Sequence, residues 1–446
     1  MGNNFQNQSK SFGYVIPGIF IIGVIVLLYF VPRFDFFFTY ILFTFLFICY
    51  YFIVRRPELF SLRFCIGLAI IARLLAIFSL PVLSDDYFRF IWDGKMFLQH
   101  INPFAFTPKE YLSIHDDTAL HFLYNNLIPE SQESYTVYPA VLQYIFATSA
   151  YFFPKSPYGA AVVMKVFIFG AECFTIWGLY LFTKLKKMPV RNILWYALNP
   201  LVIIELTGNV HFEALLICFL LFTFYFLENN KIILPALFWA LAINTKLLPL
   251  MLAPLILMYL GFWRFVKLGI FMSVILVVSS IPLIDKQLLS HLGDSVGRFY
   301  NLFEFNASFY YLAARISELF SSNDHTQEIA VTLGIISFVG ILCISFYKFK
   351  KEVFIEKALW IFFLYFLCAT MVHPWYISTL VMLSVFTRYK FPIIFSLLIP
   401  LSYFPYGLKV YDENMYIILL EYFLLFAFVL YEWKKTKGKP YLYSII

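Results

Sequence analysis

The chain has 446 residues, of which 62% are hydrophobic, 22% aromatic and only 13% charged, with a formal net charge of +7. A soluble domain is about half apolar and about a quarter charged, so a water-surrounded core is excluded and the natural solvent is a bilayer. The positive residues fall in short clusters between apolar runs, which is the pattern of cytoplasmic loops and argues against a nucleic-acid-binding face.

A spanning helix needs about 20 apolar residues. Residues 14–31 and 36–54 read as the first two spans, joined by a tight Pro32-Arg33-Phe34-Asp35 turn. The first run continues into that turn without a small-residue cleavage site, so it reads as an anchor. Arg55, Arg56 and Arg63 mark a cytoplasmic loop, and residues 64–83 form a third span that delivers Ser84 to the outer side. The apolar run 138–153 is short and bounded by prolines. Counting it as a span would put Lys184, Lys186, Lys187 and Arg191 outside, against the positive-inside rule. It reads instead as a juxtamembrane helix, which makes 84–157 one large outer segment. Residues 159–183 are then the fourth span. Alternation continues through 193–207, 212–227, 232–244, 247–260 and 268–284 to a second large outer loop at 285–328. The runs 329–347, 358–372, 377–386, 391–404 and 415–433 complete about fourteen spans, with both ends cytoplasmic. The chain reads as a single integral membrane domain, 1–446, without internal repeats. Its six cysteines all lie in apolar stretches without metal or disulfide spacing, and read as buried thiols.

This topology gathers the unexplained polar residues on the outer face: Asp85, Asp86, Arg89, Asp93, Asn209, His211, Glu213, Lys246, Arg298, Asn306 and His373. In Ser84-Asp85-Asp86 the serine reads as a helix N-cap that places both aspartates in the first turn, where the helix dipole favours the ionised form. A carboxylate held there can act as a general base toward a hydroxyl. Arg89, one turn on, is placed to pair with Asp85 or to hold an anion. The same triplet, taken alone, is also simply a well-capped helix start. Lys246 equally suits a snorkelling lysine, and His373-Pro374-Trp375-Tyr376 an interfacial aromatic anchor. Asn209-x-His211-x-Glu213 supplies two good metal-ligand types and no third. Inside the membrane, Arg73, Lys165, Glu172 and Glu205 are costly unless paired, and Arg73 with Glu172 reads as an interhelical structural pair. Asn306-Ala307-Ser308 also matches a glycosylation sequon.

Several motifs together carry a family resemblance. They are Ser84 to Gly94, Ile101-Asn102-Pro103-Phe104, Tyr135-Thr136-Val137-Tyr138-Pro139, Asn199-Pro200-Leu201, Gly208-Asn209-Val210-His211-Phe212-Glu213 and Asn244-Thr245-Lys246-Leu247-Leu248-Pro249. Phe305-Asn306-Ala307-Ser308-Phe309 and His373-Pro374-Trp375-Tyr376 extend the series. In order and spacing they resemble the GT-C glycosyltransferases, most of all the bacterial polyprenyl-phosphate-mannose-dependent mannosyltransferases. The match departs at Ala140, where the family's loop-closing motif has a second proline.

The resemblance implies an all-α polytopic membrane protein, a GT-C-like bundle of about 13–14 transmembrane helices with juxtamembrane helices in a large first outer loop. It implies transfer of one sugar, mannose foremost, from a polyprenyl-phosphate donor to a glycan, glycolipid or other hydroxyl acceptor. Transfer would occur on the extracytoplasmic side of a bacterial inner membrane, without a metal or other cofactor. Asp85 or Asp86 would be the catalytic base. Lys246, Arg89, His211 and Arg298 would face the donor phosphate. Asp93, Asn209, Glu213, Tyr138, Asn306, His373, Trp375 and Tyr376 would contact substrate. A flippase for lipid-linked sugars would show ionisable groups along a mid-membrane path and often an internal repeat. An oligosaccharide ligase or polymerase would carry an arginine-rich outer loop, whereas 285–328 holds only Arg298 and Arg315.

Overall fold

The computed structural model describes residues 13, 15–115, 117–288, 290–291, 293, 304–320, 324–408 and 412–436. Arg298, expected at the donor phosphate, lies outside the described residues, as do Lys437 and Lys439 of the expected cytoplasmic end. Among the described residues the protein is all-helical; the sole extended pairing is an isolated bridge between Phe305 and Met371.

Among the described residues, five helices are long and apolar enough to cross a membrane: Phe36–Arg55, Pro157–Leu185, Phe262–Leu283, Thr326–Phe346 and Met415–Thr436. Val202–Gly208 and Glu213–Glu228 pass the same test only as one bent pair. The protein is thus a polytopic all-α membrane protein. Several of the roughly fourteen apolar runs form shorter pieces, including Ile16–Tyr29, Ile233–Ile243, Leu248–Leu260 and Phe391–Gly407. Proline explains part of this, because it removes an amide donor and clashes with the preceding turn. Leu248–Leu252 is 3-10 before the chain turns α-helical at Ala253–Leu260, with Pro249 and Pro254 at the two starts. Phe391–Leu398 gives way to 3-10 over Ile399–Gly407, which contains Pro400 and Pro405. Irregular backbone at membrane depth is tolerated where protein surrounds it, and most of this last stretch is buried. The run 138–153 forms Ala140–Phe152, which at 13 residues is too short to span.

The chain folds as two compact units. The first comprises Met1–Leu83, Ile168–His211 and Pro374–Ile446. Asp35, at the end of the tight turn, caps Phe36–Arg55 by accepting from Phe38 N at 3.2 Å. Ser61 caps Leu62–Ile77 in the same way through Phe64 N. The far end of Phe36–Arg55 is closed by Arg191, which donates to the carbonyls of Ile53 and Val54 at 3.1 and 3.0 Å. Cationic donors suit a helix C-terminus, whose last carbonyls lack partners. The expected Arg73–Glu172 pair is present and fully buried. Arg73 Nε and Nη2 both lie 2.7 Å from Glu172 Oε2, and Nη1 donates to the carbonyls of Ala197 and Ala69. The Tyr196 hydroxyl donates to the other carboxylate oxygen. With both carboxylate oxygens and two guanidinium nitrogens engaged inside the first unit, the structural reading of the pair is favoured. The Glu432 carboxylate accepts from Lys390 N and Phe391 N, anchoring the start of Phe391–Leu398.

The second unit comprises Ser84–Phe167 and Phe212–His373. Asp86–Leu98 packs along Ala140–Phe152, and the contact depends on Gly94, where any Cβ would strike the Phe146 carbonyl. Thr107 and Glu110 form a reciprocal capping box on Pro108–Ile114. The C-terminal end of Phe262–Ser280 is tied to the 84–157 segment. Asn102 Nδ2 donates to Leu283 O at 2.9 Å, and the Tyr144 hydroxyl donates to Ser279 O at 2.9 Å.

Candidate active site

The acidic helix begins one residue later than its capping pattern suggests. Asp86–Leu98 has Asp85, not Ser84, at its N-cap position. Ser84 Oγ accepts from Asp86 N at 3.3 Å, a short turn that consumes the residue before the helix can start. Only Asp86 therefore stands in the first turn, where the positive end of the helix favours an anion. Both aspartates are half-buried.

Arg89 turns inward. Its Nε lies 2.9 Å from Asp93 Oδ1, one turn further along, and its Nη1 donates to the carbonyls of Ser131 and Ser134 at 2.7 and 2.9 Å. The expected pairing with Asp85 or with an anion gives way to this because Asp93, four residues on, lies on the same helix face. Asp93 is fully buried and also accepts from the Thr136 hydroxyl at 2.5 Å and from Gln143 Nε2 at 3.5 Å. Burial raises its carboxyl above the usual value, while Arg89, Thr136 and Gln143 pull it back down. Asp93 has both oxygens engaged inside the protein. It binds the acidic helix to the 131–138 segment. Gln143 Nε2 also donates to Tyr138 O at 3.0 Å, fixing the turn before Ala140–Phe152. Gln143 went unrecognised in the sequence because it sits inside an apolar run.

An aromatic cluster joins three sequence motifs. Phe90 of the acidic helix stacks on Phe146 at 4.7 Å and meets Tyr138 edge-on at 5.0 Å. Phe212 packs edge-on against both Phe90 and Phe146, each at 5.4 Å. Phe212 immediately precedes Glu213, which opens Glu213–Glu228 and forms an ion pair with Lys246. The Glu213 carboxylate is buried, whereas the Lys246 side chain keeps 23% of its surface exposed. The Lys246 turn is held from the same side, because Val141 N donates to Asn244 O at 3.3 Å and Asn244 Nδ2 donates to Ser279 Oγ at 2.6 Å. Asp86, Tyr138, Glu213 and Lys246 thus stand on elements packed around one cluster.

Asn306 and His373 are also brought together. Phe305 N donates to Thr370 O at 3.1 Å and Val372 N donates to Phe305 O at 2.8 Å, forming the isolated bridge. The Phe305 ring leans on His373 at 4.6 Å. Asn306 has φ +48 and is fully buried, so its amide is not open to glycosylation in the folded protein.

In the first unit, Asn209 and His211 sit on a different grouping. Val202–Gly208 is a π-helix, a rare element frequent at functional sites. It is followed by Val210 at φ +63, an outlier for a β-branched residue. Asn209 Oδ1 accepts from Leu83 N at 3.1 Å, and its Nδ2 donates to Ile204 O at 3.2 Å and toward Glu205 Oε1 at 3.4 Å. His211 Nδ1 lies 2.8 Å from the Glu205 carbonyl and 3.4 Å from its Oε2. A carbonyl only accepts, so Nδ1 carries the proton. The His211 ring stacks on Trp375 at 3.5 Å. Trp375 and Tyr376 are buried, which weighs against an interfacial anchor, one of the two readings of that motif. Glu205, costly unless paired, finds its partners in Asn209 and His211. Among the described residues no three His, Cys, Asp or Glu side chains are placed to hold a metal ion.

Fold and site define a polytopic membrane protein whose carboxylates and lysine are gathered around a helix-packing cluster at the ends of its apolar elements. Residues 37–261 match the family described as alpha-(1->6)-mannopyranosyltransferase, N-terminal domain, of MptA_B type. That match spans half of the chain, and the chain belongs to this mannosyltransferase family. It is accordingly a membrane glycosyltransferase. The matched span holds Asp85, Asp86, Glu213 and Lys246 and ends before Asn306 and His373. No curated protein and no solved structure matches the chain.

Proposed function

We propose that this enzyme transfers mannose from a polyprenyl-phosphate donor to a hydroxyl acceptor on the extracytoplasmic side of a bacterial inner membrane. The observation that carries this reading is the aromatic cluster of Phe90, Tyr138, Phe146 and Phe212. It packs the acidic helix and the Glu213–Lys246 pair into one neighbourhood.

Asp85 or Asp86 takes the proton of the acceptor hydroxyl as the oxygen attacks the anomeric carbon. The bond from that carbon to the phosphate oxygen breaks, and the polyprenyl phosphate leaves as an anion. Such a leaving group needs charge stabilisation rather than protonation. Lys246 supplies the charge from its exposed side while Glu213 holds the ammonium in place. Asp86 stands in the first turn of its helix. Arg89 and Asp93 act one step back, fixing the helix that carries the aspartates. Arg298 and His373 remain proposed for the sugar and phosphate contacts; Asn209, His211, Asn306, Trp375 and Tyr376, expected there too, are buried in this conformation. No step requires a metal or other cofactor. The positive-inside pattern of the loops supports the extracytoplasmic placement.

Donor class is tested with purified enzyme in lipid nanodiscs given radiolabelled mannose on either polyprenyl phosphate or a nucleoside diphosphate. Transfer from the lipid donor alone is expected, with a higher donor KM in Lys246→Gln. Transfer from the nucleotide sugar alone would overturn the reading.

A further inference from the structure

Helix Phe309–Phe320 presents a sided surface that the transfer reading does not use. Leu312, Ile316, Leu319 and Phe320 follow one another at spacings of three and four residues or side by side, so they share one stripe of the helix. All four are exposed, Leu319 to 81% and Phe320 to 85%. Tyr310, on another side, is buried with Ala307, Leu333 and Cys368 in a small core. Arg315 and Glu318 occupy a third side, exposed and paired at 2.8 Å. The helix therefore has a packed side, an apolar exposed side and a charged exposed side.

Its neighbour says what covers the apolar side. Phe309–Phe320 packs against Thr326–Phe346, one of the five helices fit to cross the membrane. That helix turns Val331, Ile335, Ile336, Phe338 and Val339 outward, an apolar surface that suits lipid chains. Phe309–Phe320 has 12 residues and carries two charges, so it is too short to span, at about 1.5 Å per residue. A short helix with one charged and one apolar face, continuous with a lipid-facing surface, lies in the membrane interface.

We infer that Phe309–Phe320 is an in-plane interfacial helix whose Leu312, Ile316, Leu319 and Phe320 stripe is embedded among lipid chains at the membrane boundary. Its partner is the bilayer itself. Arg315 and Glu318 face the headgroups and water. The helix follows directly on the Phe305 bridge that joins Asn306 to the 370–373 segment. The stripe thereby fixes the height of that corner at the lipid surface. This assignment stands whether or not the acidic pair is catalytic.

The test uses single cysteines at Leu319 and, as a control, at Arg315, each in the full chain with its six native cysteines replaced by serine. Each is labelled with an environment-sensitive NBD fluorophore in nanodiscs holding one copy of the chain. The probe at Leu319 is expected to emit to the blue, to be quenched by lipids doxyl-labelled near the headgroup, and to be shielded from aqueous iodide. The probe at Arg315 is expected to show the opposite pattern. Equal iodide quenching at both positions would overturn the inference. So would a shielded Leu319 probe that doxyl lipids fail to quench, since that result means protein covers the stripe.

Discussion

Arg89 and Asp93 set the terms at the scale of single residues. Both are buried, and they pair with each other while holding the 131–138 segment through Ser131, Ser134 and Thr136. Removing one partner of a buried pair leaves an uncompensated charge, at a cost of about 3–5 kcal/mol. Arg89→Leu is therefore expected to lower the thermal midpoint in detergent strongly, and Arg89→Leu with Asp93→Leu to recover much of the loss. A single variant as stable as wild type would show that the network is not closed as described. In the sequence Arg89 reads as pairing with Asp85 or holding an anion, and Asp93, four residues on, does not enter that reading as its partner. Thr136 and Gln143, which arrive from 43 and 50 residues away, decide the pairing in favour of Asp93. Glu205 is similar. Its cost in the membrane was plain from its position, but its partners came from the π-helical turn, which no periodicity announces.

At the scale of elements, the crossing of Asp86–Leu98 with Ala140–Phe152 fixes where the acidic pair stands. Gly94 lets the backbones meet, since a Cβ there would strike the Phe146 carbonyl. Gly94→Ala adds one methyl to a contact that cannot yield, and overpacking of this kind costs about 1–3 kcal/mol. The helices are expected to separate, lowering kcat along with stability; unchanged activity and melting would mean the contact is looser than its geometry. Long apolar runs such as 36–54, 159–183, 329–347 and 415–433 were legible as helices because nothing in them competes with the 3.6-residue repeat. Runs near Pro249, Pro254, Pro392, Pro400 and Pro405 were legible as apolar but not as helices of full length. Their breaks are stabilised by burial within the protein, a tertiary property that composition does not carry. Trp375 illustrates the same limit. Residue type left it open between an interfacial anchor and a substrate contact, and the stack on His211, which buries the ring, came from tertiary structure.

At the scale of the whole molecule, the reading depends on which loops share a side of the membrane. Ser113 lies on the exposed surface of Pro108–Ile114 in the large 84–157 segment. A cysteine at Ser113, in a chain without other reactive thiols, is expected to react with an impermeant maleimide added to intact cells. Labelling that appears only after lysis would place the segment in the cytoplasm and separate the aspartates from an extracytoplasmic donor.

The most direct measurement is single-turnover transfer of labelled mannose from polyprenyl phosphate by Asp85→Asn and Asp86→Asn enzymes in nanodiscs, with donor binding measured in parallel. Asparagine keeps the size and removes the base. At least one variant is expected to bind donor normally and lose transfer by about 10²-fold or more, the usual contribution of a positioned general base. Wild-type rates in both variants would contradict the assignment of the acidic pair.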